Sequence, residues 1–271
     1  MLTTLLWPTS GTILVNGHDP QVDEDEVKNS VGLVAGEDRS FYWRLTGRQN
    51  LEFFSALYGL TPGKTREKIN SLLTEVHLLD AADNMFYSYS SGMKQKLSLA
   101  RGLLCDPAVL FLDEPTKSVD ALTARDLRRF IKEGLRGKKS QTVFLTTHHL
   151  EEAELLCDRL AIIDKGKIVF CGTIADLRNV STSKTKFEMT VDSLSKQKLE
   201  EICRHPSITA LSIENSVSSE SELIVGFSIL NGHNPLPRVI EDVFSGGGSL
   251  LTCKQLDARL EEMFTALIEE Q

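Results

Sequence analysis

Short apolar runs alternate with segments of helical periodicity through the first two thirds of the chain. Strand-length apolar runs, typical of strands buried on both faces, occupy residues 109–112, 142–146 and 160–163. Apolar residues at helical spacing predict helices over residues 50–58, 65–79, 93–104, 122–135 and 150–156. This alternation predicts an α/β fold with a doubly wound parallel sheet.

Weaker strand signals precede this pattern. Residues 12–15 have the composition of a short strand and lead into Asn16-Gly17, a strong turn signal. A second short apolar run occupies residues 31–34. Both are predicted as strands near the N-terminus.

The pattern changes after the first two thirds of the chain. Residues 180–186 are polar and are predicted to form a linker. Beyond them, residues 187–191 and 222–227 alternate between apolar and polar positions, as in half-exposed strands, and helical spacing returns over residues 194–203, 236–244 and 256–267. We therefore expect a small α+β domain over residues 179–271.

The charge balance narrows the range of partners. Thirty basic and 38 acidic residues give a net charge of −8, and no basic stripe is present, so nucleic acid is not an expected partner. The five cysteines are scattered and are expected to be free thiols. The six histidines lack metal-ligand spacing, and the adjacent His148 and His149 are expected to point in different directions.

Candidate chemistry follows the apolar run at residues 109–112. Asp113 and Glu114 come directly after it, at what would be the carboxyl end of a strand, where doubly wound sheets bind ligands. Carboxylates suit Mg²⁺, so Asp113 is a candidate ligand through water, and Glu114 is a candidate to orient or deprotonate an attacking water. An acidic pair that only caps a loop remains an equal alternative.

Two further segments have the composition of phosphate sites. Ser90-Ser91-Gly92 opens a predicted helix, where backbone N–H groups attract anions, although an ordinary serine cap gives the same pattern. His148 follows the run at residues 142–146, where a neutral imidazole can bond a γ-phosphate; a histidine without a special role is the alternative.

The order and spacing of these segments are more specific than any one of them. Asp113 lies 21 residues after Gly92, and His148 lies 35 residues after Asp113. In this register, residues 3–176 resemble the cassette of an ATP-binding-cassette (ABC) ATPase, a P-loop NTPase-like fold. The resemblance implies a cassette over residues 1–178 with a helical subdomain at about 46–105.

The resemblance assigns roles to individual residues. It implies ATP and Mg²⁺ as cofactors, Asp113 as the Mg²⁺ ligand, and Glu114 and His148 as catalytic residues. The residues implied to contact nucleotide bound to a second cassette are the signature segment, Ser90, Ser91, Gly92 and Met93, and the D-loop residue Asp120. The position of the Q-loop glutamine is taken by Gly36, with Glu37 beside it as a substitute metal or water contact.

Two segments are similar to bacterial ABC ATPases of drug, polysaccharide and antibiotic exporters. They are residues 259–267, which match a closing helix, and a segment made of residues 41–46 and 49–51, where the resemblance implies contact with a membrane permease. Local core packing of Phe41, Tyr42 and Trp43 is an equally good explanation. The resemblance also implies a second ABC ATPase subunit, identical or not, and a peripheral position at the cytoplasmic face of the plasma membrane.

The phosphate loop of the family, GxxxxGK[ST], does not occur in the sequence. By alignment it would lie about two helical turns before Met1. Gly63-Lys64-Thr65 does not qualify, because the required first glycine would fall at Tyr58. Lys117 in the D-loop is a second departure from the family pattern.

Three functions are compatible with these features. The first is the ATP-hydrolysing subunit of an ABC exporter whose N-terminal region lies outside the sequence. The second is a nucleotide-blind partner that contributes only its signature segment and D-loop. The third is a soluble ABC protein of translation or DNA repair. The sequence supports it least, because it contains neither a second cassette nor a basic patch. The resemblance places the central phosphate-loop strand of the sheet before Met1. Without that strand, its neighbours would have unpaired backbone groups, so we expect the 271 residues alone to be poorly soluble and to show no measurable ATP binding.

Overall fold

A computed structural model describes residues 1–35, 40–135, 141–181, 184–216, 219, 221–230, 235–256 and 260–269. The chain forms two compact units, Met1–Cys157 and Asp158–Gln271. The division falls after Cys157, whereas the boundary implied by the family resemblance falls after residue 178, so that boundary stays a prediction. Over the residues described, no helix is both long enough and apolar enough to cross a bilayer.

The first unit is built from three strands and six α-helices within its described residues, with two short 3₁₀ helices at Leu79–Ala81 and Phe86–Ser88. The strands are β1 (Val31–Ala35), β2 (Val109–Asp113) and β3 (Thr142–Thr146). The helices are α1 (Glu24–Ser30), α2 (Gly47–Leu57), α3 (Pro62–Glu75), α4 (Ser91–Gly102), α5 (Ala121–Arg129) and α6 (Leu150–Leu156). A single π-helical turn, Phe130–Gly134, extends α5.

The three strands are parallel, in the order β1-β2-β3, with Ala35, Asp113 and Thr146 in register at their carboxyl ends. The central strand β2 is buried, as predicted. The prediction that residues 142–146 are also buried is wrong: β3 alternates between exposed and half-buried positions, and Phe144 is 47% exposed. Its place at the edge of this sheet explains the difference, because an edge strand has a neighbour on one side only.

The core of the first unit lies between the sheet and helices α2 to α4. Its largest fully buried side chains include Leu51, Leu72, Phe86 and Leu97. Strand β1 approaches α4 so closely that a Cβ added to Gly32 would lie 2.2 Å from the carbonyl oxygen of Gly102. Glycine is therefore required at position 32, because a side chain would keep α4 from covering β1. The signature segment lies at the start of this covering helix.

The strand predicted at residues 12–15 is not formed. Only Val15 pairs, in an isolated bridge with His18 across Asn16 and Gly17, which have φ values of 52° and 87°. These positive φ values are those of the predicted tight turn. The turn is confirmed, and the strand is wrong because the neighbouring residues find no partner among those described.

The second unit contains a four-stranded antiparallel sheet in the order β7-β8-β6-β9. Its strands are β4 (Leu160–Asp164), β5 (Lys167–Gly172), β6 (Lys184–Asp192), β7 (Ile208–Asn215), β8 (Glu222–Leu230) and β9 (Ser249–Leu256), with β4 and β5 forming a separate hairpin. Its helices are α7 (Ile174–Ser181), α8 (Lys196–Ile202), α9 (Leu236–Ser245) and α10 (Leu260–Glu269). Leu199 of α8 and Val239 and Val243 of α9 pack on the sheet.

Several predictions for this unit are corrected. Residues 160–163 are not a third buried parallel strand: they belong to β4, which pairs antiparallel with β5, and Ile163 is 66% exposed. The polar linker predicted at residues 180–186 is wrong where the chain is described: residues 180–181 end α7 and residues 184–186 begin β6, while residues 182–183 lie outside the described residues. The helix predicted from residue 256 starts at Leu260, because β9 extends to Leu256. Strands β7 and β9 were not predicted.

Candidate functional site

The carboxyl edge of the parallel sheet brings together residues that lie far apart in sequence. Asp113 ends β2, and its carboxylate accepts a hydrogen bond from the Thr146 hydroxyl at the end of β3. The next residue, Glu114, donates its backbone N–H to the Thr146 carbonyl at 3.0 Å and has a φ of 50°. Residues other than glycine rarely adopt such a positive φ, and those that do are found preferentially at functional sites.

Glu114 and His148 form a direct pair at this edge. His148 Nδ1 lies 2.7 Å from Glu114 Oε1, with side-chain exposures of 63% and 23%. The second carboxylate oxygen, Glu114 Oε2, is buried and has no hydrogen-bond partner among the described residues. A carboxylate with one oxygen held by an imidazole and the other unpartnered is suited to accept a proton from water or to face a cation.

His149 joins this pair. The rings of His148 and His149 have centroids 4.1 Å apart and are inclined by 36°. The expectation that these adjacent histidines point in different directions is therefore wrong. The residues leave β3 through a loop rather than a regular element, so the strict alternation of a strand does not apply to them.

A buried carboxylate that sequence analysis missed supports both loops. Glu152 of α6 is 1% exposed. Its Oε1 accepts the Thr116 hydroxyl at 2.8 Å and its Oε2 accepts the Thr147 hydroxyl at 2.7 Å, while Arg128 Nε lies 3.8 Å from Oε1. Thr116 follows Glu114 by two residues, and Thr147 directly precedes His148. A glutamate in a predicted helix is expected to be exposed, so the sequence gave no indication that Glu152 is buried.

The signature segment and the D-loop form a second cluster. Ser90 caps α4 by accepting the Met93 N–H at 3.2 Å, and Gly92 is buried, while Ser91 is exposed. Asp120 caps α5 by accepting the backbone N–H of Thr123 at 3.0 Å and its hydroxyl at 2.7 Å.

Thr123 connects the signature segment to Asp120. A Cβ added to Gly92 would lie 2.6 Å from Thr123 Cγ2, so the start of α4 touches the start of α5. Hydrogen bonds from the backbone N–H and then the hydroxyl of Thr123 lower the pKa of Asp120. The D-loop is joined to the sheet edge by one backbone hydrogen bond, from the Lys117 N–H to the Glu114 carbonyl at 3.0 Å, whereas no hydrogen bond between described residues joins Gly92, Thr123 or Asp120 to Glu114 or His148.

The fit to Mg²⁺ and ATP can be tested on these residues. Asp113 offers an exposed carboxylate at the end of β2, and Oε2 of the next residue, Glu114, has no hydrogen-bond partner among the described residues; oxygen donors are what Mg²⁺ requires. Gly63 lies in the first turn of α3, which follows α2 rather than a strand, in agreement with its exclusion as a phosphate loop. Gly36 and Glu37 lie outside the described residues.

The aromatic segment after β1 is divided between core and surface. Phe41 is 5% exposed and packs on Phe54 and Phe86, with ring centroids 5.6 and 4.8 Å apart. Tyr42 and Trp43 are 50% and 62% exposed. Core packing thus explains Phe41 but not its two neighbours.

The loop that carries Tyr42 is held rigidly. The side chain of Asn50, which is fully buried, accepts the Tyr42 N–H at 2.8 Å and donates to the Tyr42 carbonyl at 3.1 Å. Thr46 and Gln49 form a reciprocal capping box at the start of α2. The exposed aromatic rings are therefore presented from a fixed backbone.

Comparison with known proteins adds independent findings. The family described as ABC transporter matches residues 1–117. The ABC transporter ATP-binding protein NatA of Bacillus subtilis is 33% identical over 177 residues, which are 65% of this chain and 71% of NatA. The linearmycin resistance ATP-binding protein LnrL of the same organism is 28% identical over 268 residues, covering 98% of this chain and 83% of LnrL.

Other relatives are much longer. The chain spans 23% of ABC transporter A family member 10 of Arabidopsis thaliana, with 36% identity over 209 residues. Among solved structures, cbiO1 of Clostridium perfringens, part of an ABC transporter complex, superposes with a TM-score of 0.58 at 20% identity over 66% of this chain and 75% of cbiO1. That likeness shows the fold. The α/β fold, the family match and the extent of NatA that is covered lead to one conclusion: the chain belongs to the ABC transporter ATP-binding family, whose members are generally ATPases.

Proposed function

We propose that this chain is the ATP-hydrolysing subunit of an ABC exporter and drives a separate membrane permease. The contact that supports this most directly is the 2.7 Å pair of Glu114 and His148 at the carboxyl edge of the parallel sheet. Two sequence segments 34 residues apart supply an acceptor for a water proton and a group that can contact phosphate. The name of LnrL, a linearmycin resistance protein, supports an export role.

In this proposal each residue at the edge has one task. Asp113 holds Mg²⁺ through water, and the ion neutralises charge on the phosphates when ATP is bound. Glu114 orients or deprotonates the attacking water, and His148 contacts the γ-phosphate. The Thr146 hydroxyl, bonded to Asp113, fixes the orientation of that carboxylate.

The signature cluster acts on the nucleotide of a second subunit. The start of α4, with Ser90, Ser91, Gly92 and Met93, presents backbone N–H groups and the positive end of a helix dipole, both of which attract phosphate. Asp120 is connected to this segment through Thr123, whose hydroxyl donates to Asp120 and whose methyl group lies against Gly92. Gly36 and Glu37 remain candidates for the Q-loop position.

The proposed partners follow from the same assignment. The exposed rings of Tyr42 and Trp43 are candidates for contact with the permease, which would place the subunit at the cytoplasmic face of the plasma membrane. The cassette is proposed to cover residues 1–178, and residues 179–271 form the accessory domain. A second ABC ATPase subunit completes each nucleotide site.

A nucleotide-blind partner subunit is the second candidate function. It is favoured by the separate assembly of Gly92, Thr123 and Asp120, which are held together without any described hydrogen bond to Glu114 or His148. Such a chain would complete the site of an intact subunit while performing no hydrolysis at its own sheet edge.

Two substitutions separate these functions. The protein is expressed from the full reading frame that encodes these residues, with any cassette subunit that co-purifies, and phosphate release is measured. Glu114→Gln removes the proton acceptor, and Ser90→Arg places a bulky side chain where phosphate would bind the helix start. Glu151→Gln, at an exposed position, is the matched control.

The hydrolysing subunit predicts that both substitutions lower phosphate release, Glu114→Gln by about 100-fold or more. The nucleotide-blind partner predicts that Ser90→Arg lowers it while Glu114→Gln leaves it unchanged. Wild-type rates in both variants would contradict both candidates, since neither cluster would then take part in hydrolysis.

A further inference from the structure

Three side chains that bind transition metals meet at the sheet edge. One ligand atom from each of Glu114, His148 and His149 lies within 4.8 Å of the other two. We propose that these residues form a Zn²⁺ site that is separate from the proposed Mg²⁺ position at Asp113. The roles that the family resemblance implies for Glu114 and His148 do not include Zn²⁺ binding, and the resemblance implies no role for His149.

The ligand set selects Zn²⁺ rather than Mg²⁺. Imidazole nitrogen and carboxylate oxygen are common Zn²⁺ ligands, whereas Mg²⁺ prefers oxygen ligands in octahedral geometry. Two imidazoles and one carboxylate leave the fourth tetrahedral position to water.

The observed geometry is close to what the ion needs. Bonds of about 2.0–2.1 Å in a tetrahedral site place ligand atoms about 3.3 Å apart. The present separations reach no more than 4.8 Å, and the His148 and His149 side chains are exposed, so rotation of their rings can bring the ligand atoms closer together. The hydrogen bonds of Glu152 to the Thr116 and Thr147 hydroxyls hold the two loops beside each other.

The unpartnered oxygen of Glu114 is an independent indication of a cation. Glu114 Oε2 is buried and accepts no hydrogen bond from the described residues, and its carboxylate has only the His148 imidazole as a close partner. A buried carboxylate oxygen left unpaired is unfavourable. A metal ion bound to this carboxylate would remove that cost.

Occupancy of this site has a functional consequence that rests on the proposed function. Glu114 and His148 cannot bind Zn²⁺ and at the same time act on water and phosphate. Zn²⁺ therefore inhibits ATP hydrolysis by engaging the catalytic pair, and His149 is the residue that makes this chain sensitive to the ion.

Calorimetric titration of the full chain with Zn²⁺ tests the site directly. We expect one ion per chain and at least about tenfold weaker binding in His149→Ala, because loss of even an outer-sphere partner typically costs 10–100-fold. His18→Ala is the matched control, since His18 also lies beside a carboxylate, Asp23, at 3.5 Å but belongs to no group of three candidate ligands among the described residues. Unchanged affinity in His149→Ala, or no binding by the wild type, would overturn the proposal.

Co²⁺ substitution identifies the ligands. A visible spectrum typical of tetrahedral nitrogen and oxygen ligation, lost in His149→Ala, supports the site; thiolate charge-transfer bands would instead assign the ion to cysteines such as the exposed Cys171 and reject it.

Phosphate-release assays separate the two proposals. Measured against its own metal-free rate, His149→Ala should no longer be inhibited by Zn²⁺. Zn²⁺ bound at these residues in a protein with no ATPase activity would refute the proposed function but support the site.

Discussion

Removal of the buried carboxylate of Glu152 should destabilise the first unit more than any surface change on the same helix. The carboxylate accepts two hydroxyl hydrogen bonds, from Thr116 at 2.8 Å and from Thr147 at 2.7 Å, and faces Arg128 Nε at 3.8 Å. A hydrogen bond to a charged group contributes about 1.5–3 kcal/mol, and breaking a buried ion pair costs about 3–5 kcal/mol. We expect Glu152→Ala to lower the free energy of unfolding by about 3–5 kcal/mol.

Two further variants separate charge from hydrogen bonding and from helix propensity. Glu152→Gln keeps the shape and an acceptor oxygen but loses the attraction to Arg128, so a loss of about 1–2 kcal/mol is expected. Glu151→Ala, at the exposed neighbouring position, should stay within about 0.5 kcal/mol of wild type.

Urea unfolding followed by tryptophan fluorescence measures these differences. Both tryptophans, Trp7 and Trp43, belong to the unit Met1–Cys157, so the signal reports on that unit alone. The transition midpoint should shift at constant slope if only stability changes. A midpoint for Glu152→Ala equal to that of Glu151→Ala would refute the reasoning, because the buried carboxylate would then make no net contribution.

The same variant tests whether Glu152 positions the proposed catalytic pair of Glu114 and His148. Thr116 lies two residues after Glu114 and Thr147 directly precedes His148, so release of the two threonines should loosen the 2.7 Å contact. The ¹⁵N resonance of His148 Nδ1 should lose its hydrogen-bonded shift in Glu152→Ala and regain it in Glu152→Gln. A purely structural role would leave this resonance unchanged in the fraction that remains folded.

Three other predictions concern close packing and pH. Gly92→Ala places a Cβ 2.6 Å from Thr123 Cγ2 and should lower stability by about 1–3 kcal/mol; Thr123→Ser, which removes that methyl group but keeps the hydroxyl, should restore most of it in the double variant, as measured by urea unfolding. Burial raises the pKa of Tyr89 to about 12, whereas an unfolded tyrosine titrates near about 10, so its stabilisation is present below about pH 10 and is lost as pH rises to about 12. Tyr89→Phe should therefore lose less stability than the wild type between about pH 10 and about pH 12. At neutral pH the variant should be about 1 kcal/mol less stable, because it lacks the 2.7 Å hydrogen bond from the Tyr89 hydroxyl to the Ala81 carbonyl. A pH profile identical to that of the wild type would contradict this reasoning. Gly32→Ala, with its Cβ 2.2 Å from a backbone oxygen, should lower the thermal midpoint more than Gly92→Ala, because backbone cannot rotate away as a side chain can.

Local pattern was sufficient for the central elements of the first unit. The run at residues 109–112 predicts a buried strand because it is uniformly apolar, and β2 lies between two neighbours. The capping serine Ser90 and the turn at Asn16-Gly17 were also predicted, since both depend on residues adjacent in sequence. Edge strands were less predictable: β3 and β4 have the composition of buried strands but are only partly buried, because burial depends on which strands lie beside them.

The candidate site divides in the same way. Asp113, Glu114 and His148 were named from spacing, and parallel register then places the ends of β2 and β3 at one edge. Glu152 was missed because its role depends on two hydroxyls and a guanidinium that come from other segments. His149 was assigned away from His148 by the alternation of an ideal strand, which the loop after β3 does not follow.

The sequence by itself indicated the family, through its resemblance to the motifs of ABC ATPases, together with the α/β alternation and the candidate residues Asp113, Glu114 and His148, because each of these depends on residue types and their order along the chain. Only the tertiary structure decided which of them touch. The contact between Glu114 and His148, the contact of Gly92 with Thr123, and the hydrogen bond from Thr116 to the buried Glu152 each join residues at least 31 positions apart. Such contacts are set by strand register and helix packing over the whole unit, which no local pattern specifies.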